Sequence, residues 1–108
     1  AESDIPTLWQ GERGGHARLL AGTSGPDMVE LWQWSLCPGE IFTSPGHGDG
    51  TTELLFVTEG ALTLTVNDGV YLIREGDSAV ARTDAPHSYA NAGDKIARFT
   101  MTVSEKAR

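Results

Sequence analysis

Two histidines and one glutamate have the residue types and the setting of a metal site. His47 lies in the glycine-rich run P-G-H-G-D-G, and Glu53 follows at the start of an apolar segment. His87 lies in a second run, T-D-A-P-H-S-Y-A-N, where a turn again leads into a strand pattern. Two imidazoles and one carboxylate are a common ligand set for a mononuclear metal ion. We expect these three side chains to converge, with Asp49 as a fourth candidate ligand.

Each of these residues also has a simpler interpretation. Asp49, between two glycines, is typical of a turn-capping residue, and a histidine in a loop is often solvated. A histidine after Pro86 can be held by backbone groups without a metal. Glu53 differs, because it shares one face of an alternating segment with Leu55 and Val57 and therefore points inward. A buried carboxylate without a partner is costly, and a cation or a pair of imidazoles would satisfy it.

The length and the turn residues indicate one all-β domain. The 108 residues are enough to bury a core without disulfide or metal support, so we predict a single domain over residues 1–108. Thirteen glycines and five prolines separate about nine short strand patterns, and no helical periodicity stands out. This organisation is typical of a sandwich or a barrel. We expect residues 1–16 to form an extended arm that packs Trp9 against it.

Charge and composition exclude several classes of partner. Fifteen acidic residues against eight basic ones give a net charge of −7, with no cluster of Lys or Arg. We therefore expect no nucleic-acid contact by this domain and no binding to an anionic membrane surface. No apolar run approaches eighteen residues, so we expect no spanning helix and a cytoplasmic location. Cys37 is the only cysteine, which excludes an intrachain disulfide.

Large apolar residues at inward positions predict a pocket. Both faces of the segment at residues 28–37 are apolar, which predicts cover by a second subunit in a homodimer or by the N-terminal arm. Trp32 and Trp34 could belong to the core, to a dimer contact or to a pocket wall. The side chains that we predict to line a small-molecule pocket at the mouth of the barrel are Trp34, Leu55, Tyr89, Phe99 and Met101.

Two stretches match the spacing of a known pair of motifs. Glu53 and Gly60 keep the six-residue gap of the first motif of the cupin superfamily, and Gly76, His87 and Asn91 fall on the frame of its second motif. The sequence therefore resembles a cupin, whose fold is a double-stranded β-helix, or jelly-roll barrel. The resemblance implies one divalent metal ion (Zn, Fe, Ni or Mn) held by His47, Glu53 and His87, with Asp49 as the further candidate.

The chain departs from these motifs at three places. Arg82 and Asp84 stand where the second motif has proline and glycine, and we expect this to change the turn more than the ligand. One of the two histidines of the first motif is missing, since only His47 lies in that stretch.

A narrower resemblance suggests a role. The phrases V-E-L-W-Q-W-S-L-C-P-G-E, H-G-D-G-T-T-E-L-L-F-V-T-E-G and A-P-H-S-Y-A-N-A-G-D are similar to the C-terminal sensor domain of bacterial XRE-type transcriptional regulators. This implies a non-catalytic domain that binds a small effector, forms a homodimer and acts on DNA through an upstream helix-turn-helix. The first residue is Ala rather than Met, and we interpret it as a cut point in a longer protein or a processed end. The alternatives are a small metal-dependent dioxygenase or isomerase, and a metal-free barrel that binds a polar ligand directly.

Overall fold

The computed structural model describes residues 7–24 and 26–105, and in these residues every regular element is a β-strand. The ten strands are β1 (Thr7–Gln10), β2 (His16–Gly22), β3 (Met28–Leu36), β4 (Ile41–Ser44), β5 (Thr52–Glu59), β6 (Ala61–Val66), β7 (Gly69–Arg74), β8 (Ser78–Arg82), β9 (His87–Ala90) and β10 (Ala97–Glu105). Nothing helical in this described part is therefore long or apolar enough to cross a membrane. Of the predicted domain and its arm, residues 1–6, 25 and 106–108 lie outside the described residues.

Two antiparallel sheets enclose the core. The larger sheet has the strand order β1-β2-β3-β10-β5-β8, and the smaller has the order β4-β9-β6-β7. Side chains from both sheets meet in one buried apolar cluster between them. The prediction of an all-β sandwich or barrel is confirmed. The strand patterns in the sequence did not reveal β1, which forms within the expected arm and pairs with β2.

Strand alternation decides which side chains reach the interior. In β5, Glu53, Leu55 and Val57 are buried while Leu54 and Phe56 are exposed. β10 lies between β3 and β5 and pairs with both, and its inward residues Phe99, Met101 and Val103 are buried as well. Because a one-residue slip would turn every one of these side chains to solvent, the register is firmly specified.

The N-terminal strand closes one end of the interior with an indole. The Trp9 ring lies 5.5 Å from the Trp34 ring and 5.9 Å from the Phe42 ring, centroid to centroid. Tilted and edge-on arrangements at these distances are the favourable ones for aromatic pairs. The strand thereby supports Trp34, whose ring also contacts the buried rings of Tyr89 and Phe99.

A buried carboxylate fastens the loop after this strand to the body of the domain. Glu40 is 6% exposed, and its two oxygens accept hydrogen bonds from the backbone N–H groups of Arg13 (2.8 Å) and Cys37 (2.7 Å). Burial raises the pKa of Glu40, but the backbone N–H groups of Arg13, Cys37 and Gly15 outweigh it and hold the pKa below its ordinary value of 4.5. The ionised side chain therefore stabilises the position of the loop after β1.

We expect Glu40→Gln to lower the free energy of unfolding by about 2 kcal/mol, because hydrogen bonds to a charged acceptor become neutral ones. The pKa is depressed in the fold, so the carboxylate's contribution is complete above pH 4.5 and is lost as the pH falls through the depressed value. Urea unfolding of the wild type and of Glu40→Gln, at pH values above and below 4.5, measures the difference between their free energies of unfolding. This difference should become smaller as the pH falls.

The matched control is Glu59→Gln, which removes an exposed ion pair of 2.9 Å between Glu59 Oε2 and Arg98 Nε. Exposed pairs contribute no more than about 1 kcal/mol. The role given to Glu40 would be contradicted if both variants lost the same free energy of unfolding. It would also be contradicted if the loss in Glu40→Gln did not depend on pH.

Candidate functional site

The structure brings together the three side chains that the two motifs contain. Glu53 is the second residue of β5, His87 is the first residue of β9, and His47 lies in the loop between β4 and β5. Each offers a ligand atom within 4.8 Å of the ligand atoms of the other two. Glu53 and His87 are buried and His47 is exposed, so the group lies where the interior opens to solvent. Asp49 is exposed and lies outside this group.

Backbone contacts between two loops set this convergence. The N–H of His47 donates to the carbonyl of Thr83 at 2.9 Å, which ties the first loop to the segment that precedes His87. Gly46 has a positive φ of 115°, and a Cβ there would lie 2.7 Å from the carbonyl oxygen of Asp84. Only glycine allows this close approach. The glycine before His47 is thus part of the positioning of the imidazole.

Asp84 fastens the same two loops from the other side. Its Oδ2 accepts a hydrogen bond of 3.0 Å from the N–H of Gly50, and this N–H, with the nearby Arg82 guanidinium, holds the pKa of the Asp84 carboxyl below its usual value. The aspartate stands where the family motif has glycine. Its side chain therefore joins the loops that carry the two histidines, which agrees with the expectation that the departure affects the turn.

Hydrogen bonding leaves one nitrogen of His87 available. Nδ1 lies 2.9 Å from the carbonyl oxygen of Ala85 and, since a carbonyl only accepts, Nδ1 carries the proton. Nε2 is buried and has no hydrogen-bond partner among the described residues. In the neutral ring that atom holds a lone pair. A buried acceptor without a partner is costly, so this nitrogen fits a site built for a metal ion or another ligand.

The carboxylate of Glu53 is surrounded by groups that compensate its burial. The hydroxyl of Tyr89 donates to Oε1, and Nε2 of His47 lies 3.6 Å from Oε2. Burial raises the pKa of Glu53 above its ordinary value, although the Tyr89 hydroxyl and the imidazoles of His87 and His47 oppose this shift. Burial and the Glu53 carboxylate also raise the pKa of Tyr89, so its hydroxyl remains a donor.

A small cavity of about 120 Å³ opens beside this group. Its wall is mainly aromatic and apolar, with acids around it, and its lining residues are Glu30, Trp32, Trp34, Phe42, His47, Glu53, Tyr89, Met101, Val103 and Glu105. Of the predicted pocket residues, Trp34, Tyr89 and Met101 lie in this wall. Leu55 and Phe99 are fully buried in the core and do not line the cavity.

Several lining residues were not among the predicted ones. Glu30 shares the inward face of β3 with Trp32 and Trp34, and Glu105 continues the inward face of β10 beyond Val103. Strand alternation alone places both acids at inward positions, but acids near strand ends are usually solvated. Phe42 lies in a strand of four residues, too short for alternation to show its direction.

The contact between Glu53 and Tyr89 should be measurable as a coupling energy. We expect a double-mutant cycle of Glu53→Gln and Tyr89→Phe to give about 1.5–3 kcal/mol in the free energy of unfolding, the range for a hydrogen bond to a charged group. Tyr71→Phe, at an exposed tyrosine of β7, is the control in place of Tyr89→Phe and should show no coupling to Glu53→Gln. A coupling near zero for Tyr89 would mean that the hydroxyl does not compensate the carboxylate.

Comparison with known proteins agrees with this architecture. The family model described as "Cupin domain" matches residues 32–103, whereas no curated protein sequence matches the chain. The cupin domain of an XRE family transcriptional regulator from Enterobacter cloacae superposes with a TM-score of 0.76 at 19% identity, covering 82% of this chain and 94% of that one. An HTH_3 family transcriptional regulator from Vibrio cholerae gives 0.77 at 21% identity, covering 84% of this chain and 51% of that one.

A third similar structure is named for an enzyme. A predicted oxalate decarboxylase from Thermotoga maritima superposes with a TM-score of 0.67 at 18% identity, covering 95% of each chain. Identities this low establish a common fold and leave the ligands open. The family match includes Glu53 and His87, and it covers β4 to β9 together with most of β3 and β10. The chain belongs to the cupin family.

Proposed function

We propose that this domain is the effector-sensing module of a cytoplasmic bacterial transcriptional regulator, and that it binds its effector in the cavity beside His47, Glu53 and His87. The observation that carries the proposal is a cavity with an aromatic wall, beside a group of side chains in which the buried Nε2 of His87 has no hydrogen-bond partner among the described residues. The likeness to two regulator structures supports the regulatory setting. DNA would be contacted by a helix-turn-helix upstream of residue 1.

The coding sequence upstream of Ala1 tests the regulatory setting directly. We expect it to encode a helix-turn-helix in the same reading frame. An open reading frame that begins at this point would overturn the regulatory role, whatever the cavity binds.

The three clustered side chains fit a divalent metal ion. Their donor set, two imidazoles and one carboxylate, suits Zn, Fe, Ni or Mn, and the Nε2 atom of His87 is available for ligation. Such an ion would supply a Lewis-acidic centre that binds a donor atom of the effector. The Ala85 carbonyl fixes the tautomer of His87, and the Tyr89 hydroxyl orients the Glu53 carboxylate. These contacts prepare the ligand set before any ion or effector enters.

We expect His87→Ala to weaken Zn²⁺ binding by at least about 100-fold, because loss of a direct ligand should exceed the 10–100-fold effect of outer contacts. Tyr89→Phe, which removes such an outer contact, should weaken it by about 10-fold. Competition with a chromophoric chelator measures both affinities. The control is His16→Ala, since His16 lies in β2 outside the group. Equal affinity in the wild type and His87→Ala would refute this site.

A second candidate function is that of a small metal-dependent enzyme. The ligand set with open coordination positions and the likeness to a predicted oxalate decarboxylase favour it. Metal-loaded protein should be assayed for oxygen uptake and for decarboxylation of small organic acids. Turnover that disappears in His87→Ala would establish the enzyme in place of the sensor.

The regulator would transmit its signal through a homodimer, and the outer face of the larger sheet is the surface that suits a second copy. We call it the apolar sheet face: its side chains are Val29, Leu31, Leu54, Phe56 and Val80, which are 40–69% exposed. On the outward positions of β3, β10, β5 and β8 the sole acid is Glu59, and it is paired with Arg98. In a chain of net charge −7, this face lets two copies approach with little charge repulsion.

Such a dimer provides the mechanism of response. If the effector binds one arrangement of the two subunits more tightly than another, it shifts the population between them. The same difference in affinity changes the affinity of the attached DNA-binding domains by linkage. The β3 and β5 strands contribute to both the cavity wall and the apolar sheet face, so they connect the two sites.

We expect Phe56→Glu to weaken the dimer by about 30-fold or more, because it places a charge at the centre of the apolar sheet face. Light scattering after size exclusion at several concentrations measures the equilibrium. The control is Leu72→Glu, at a residue of β7 that is 58% exposed on the other sheet. A monomeric wild type, or a dimer disrupted only by the control, would refute this interface.

A further inference from the structure

We propose that the effector is a small organic cation, a protonated amine or a quaternary ammonium ion, held by the aromatic wall and by Glu30 and Glu105. This inference rests on the proposed function, because it takes the cavity as the effector site. It adds the chemical class of the ligand and the side chains that select it.

Three carboxylates lie on one wall of the cavity. Val103 of β10 pairs with Glu30 of β3 on one side and with Glu53 of β5 on the other, and Glu105 follows two residues later on the same face. Glu30 and Glu105 are half-buried and line the cavity. Within residues 7–24 and 26–105, no Lys or Arg forms an ion pair with either of them. Two partly desolvated acids are therefore left without a cationic side chain among the described residues.

Glu30 is held in a fixed position. Its Oε1 accepts a hydrogen bond of 3.2 Å from Nε1 of Trp32, which uses one carboxylate oxygen and orients both side chains. The other oxygen stays available to a ligand. A carboxylate that is already ordered loses little further side-chain entropy when a ligand binds.

The aromatic wall has the chemistry that attracts an organic cation. Trp32, Trp34, Phe42 and Tyr89 line the cavity, and their rings form one continuous cluster: Trp32 and Trp34 lie 6.5 Å apart, Trp34 and Phe42 5.0 Å, and Phe42 and Tyr89 5.9 Å. Ring faces attract ammonium groups, and most strongly those with apolar substituents that also bury surface. A neutral apolar ligand would use these rings but would leave the carboxylates unpaired.

A second observation marks the cavity as a ligand site. His87 is 3% exposed, and its Nε2 has no hydrogen-bond partner in the part of the chain that the structure describes. Its ring belongs to the same group as His47 and Glu53, which line the cavity. A cluster of acids that is only part of the solvated surface does not need a buried imidazole nitrogen without a hydrogen-bond partner beside it. The volume of about 120 Å³ is well below the roughly 300–1,000 Å³ of most ligand pockets, so the ligand has few non-hydrogen atoms.

The cation and a metal ion would occupy different ends of the cavity. Glu30 and Glu53 lie on strands separated by one intervening strand, a spacing of roughly 10 Å between their backbones. The ammonium group would lie near Glu30 and Glu105, and a neutral donor atom at the other end of the ligand could reach the imidazoles. A ligand whose only charge is negative would be repelled by all three acids.

Tryptophan fluorescence titration with three probes of similar size tests the proposal. n-Propylammonium, propionate and 1-propanol are compared at constant ionic strength, with protein that has been treated with chelator and with protein loaded with Zn²⁺. We expect n-propylammonium to bind at least about 10-fold more tightly than propionate in both samples. Glu30→Gln and Glu105→Gln should each weaken n-propylammonium about 5–10-fold and change 1-propanol less than about 2-fold.

The control variant is Glu12→Gln, at an exposed acid that does not line the cavity, and it should change none of the three affinities. Tighter binding of propionate, equal binding of the probes, no binding of any probe, or no effect of the two cavity variants overturns the inference. If propionate binds more tightly than n-propylammonium and this binding is lost in His87→Ala, the cavity is still an effector site. Only its preference for a cation is then refuted.

Discussion

The burial of the Glu53 carboxylate is the constraint on which the rest of the site depends. Strand alternation in β5 places this acid inside together with Leu55 and Val57, and the fold has to compensate a charge that water would otherwise solvate. The compensation comes from Tyr89 and His87 on β9 and from His47 in the loop between β4 and β5. Because these partners lie far apart in the sequence, the acid requires the two sheets to close on each other. A bound cation would complete the same compensation.

The two histidine-bearing loops are held by backbone geometry as much as by side chains. Gly46 permits the close approach, His47 donates its N–H to Thr83, and Asp84 captures the N–H of Gly50. Asp84 therefore has a function at a position where the family motif has glycine. Fixed loops leave little freedom for the imidazoles, which is what a preorganised binding site requires.

The larger sheet gives its two faces different roles. Its inward positions carry Trp32, Trp34 and the acids of the cavity, whereas its outward positions on β3, β5 and β8 carry the apolar sheet face. Glu40 fastens the loop after β1 and so supports Trp9 against Trp34. A ligand in the cavity and a second subunit on the outer face would thus act on the same strands from opposite sides.

Local pattern in the sequence determined much of this protein. Alternation in β5 and β10 fixed which residues point inward, the turn residues marked the strand ends, and the motif spacing indicated Glu53 and His87 as partners. These features depend on neighbours within a few residues, so they can be read from one segment at a time. Alternation also predicts an apolar outer face for β3, and Val29 and Leu31 are exposed on that face in the structure.

Tertiary structure decided what depends on contacts between distant segments. The burial of Glu40 under the backbone of Arg13, the bridge made by Asp84 and the free nitrogen of His87 each require groups that no local pattern brings together. Glu30 and Glu105 belong to the cavity because β10 pairs with β3 in one particular register. Sheet pairing and loop closure are long-range events, and this is why the set of side chains around the cavity emerged only from the folded chain.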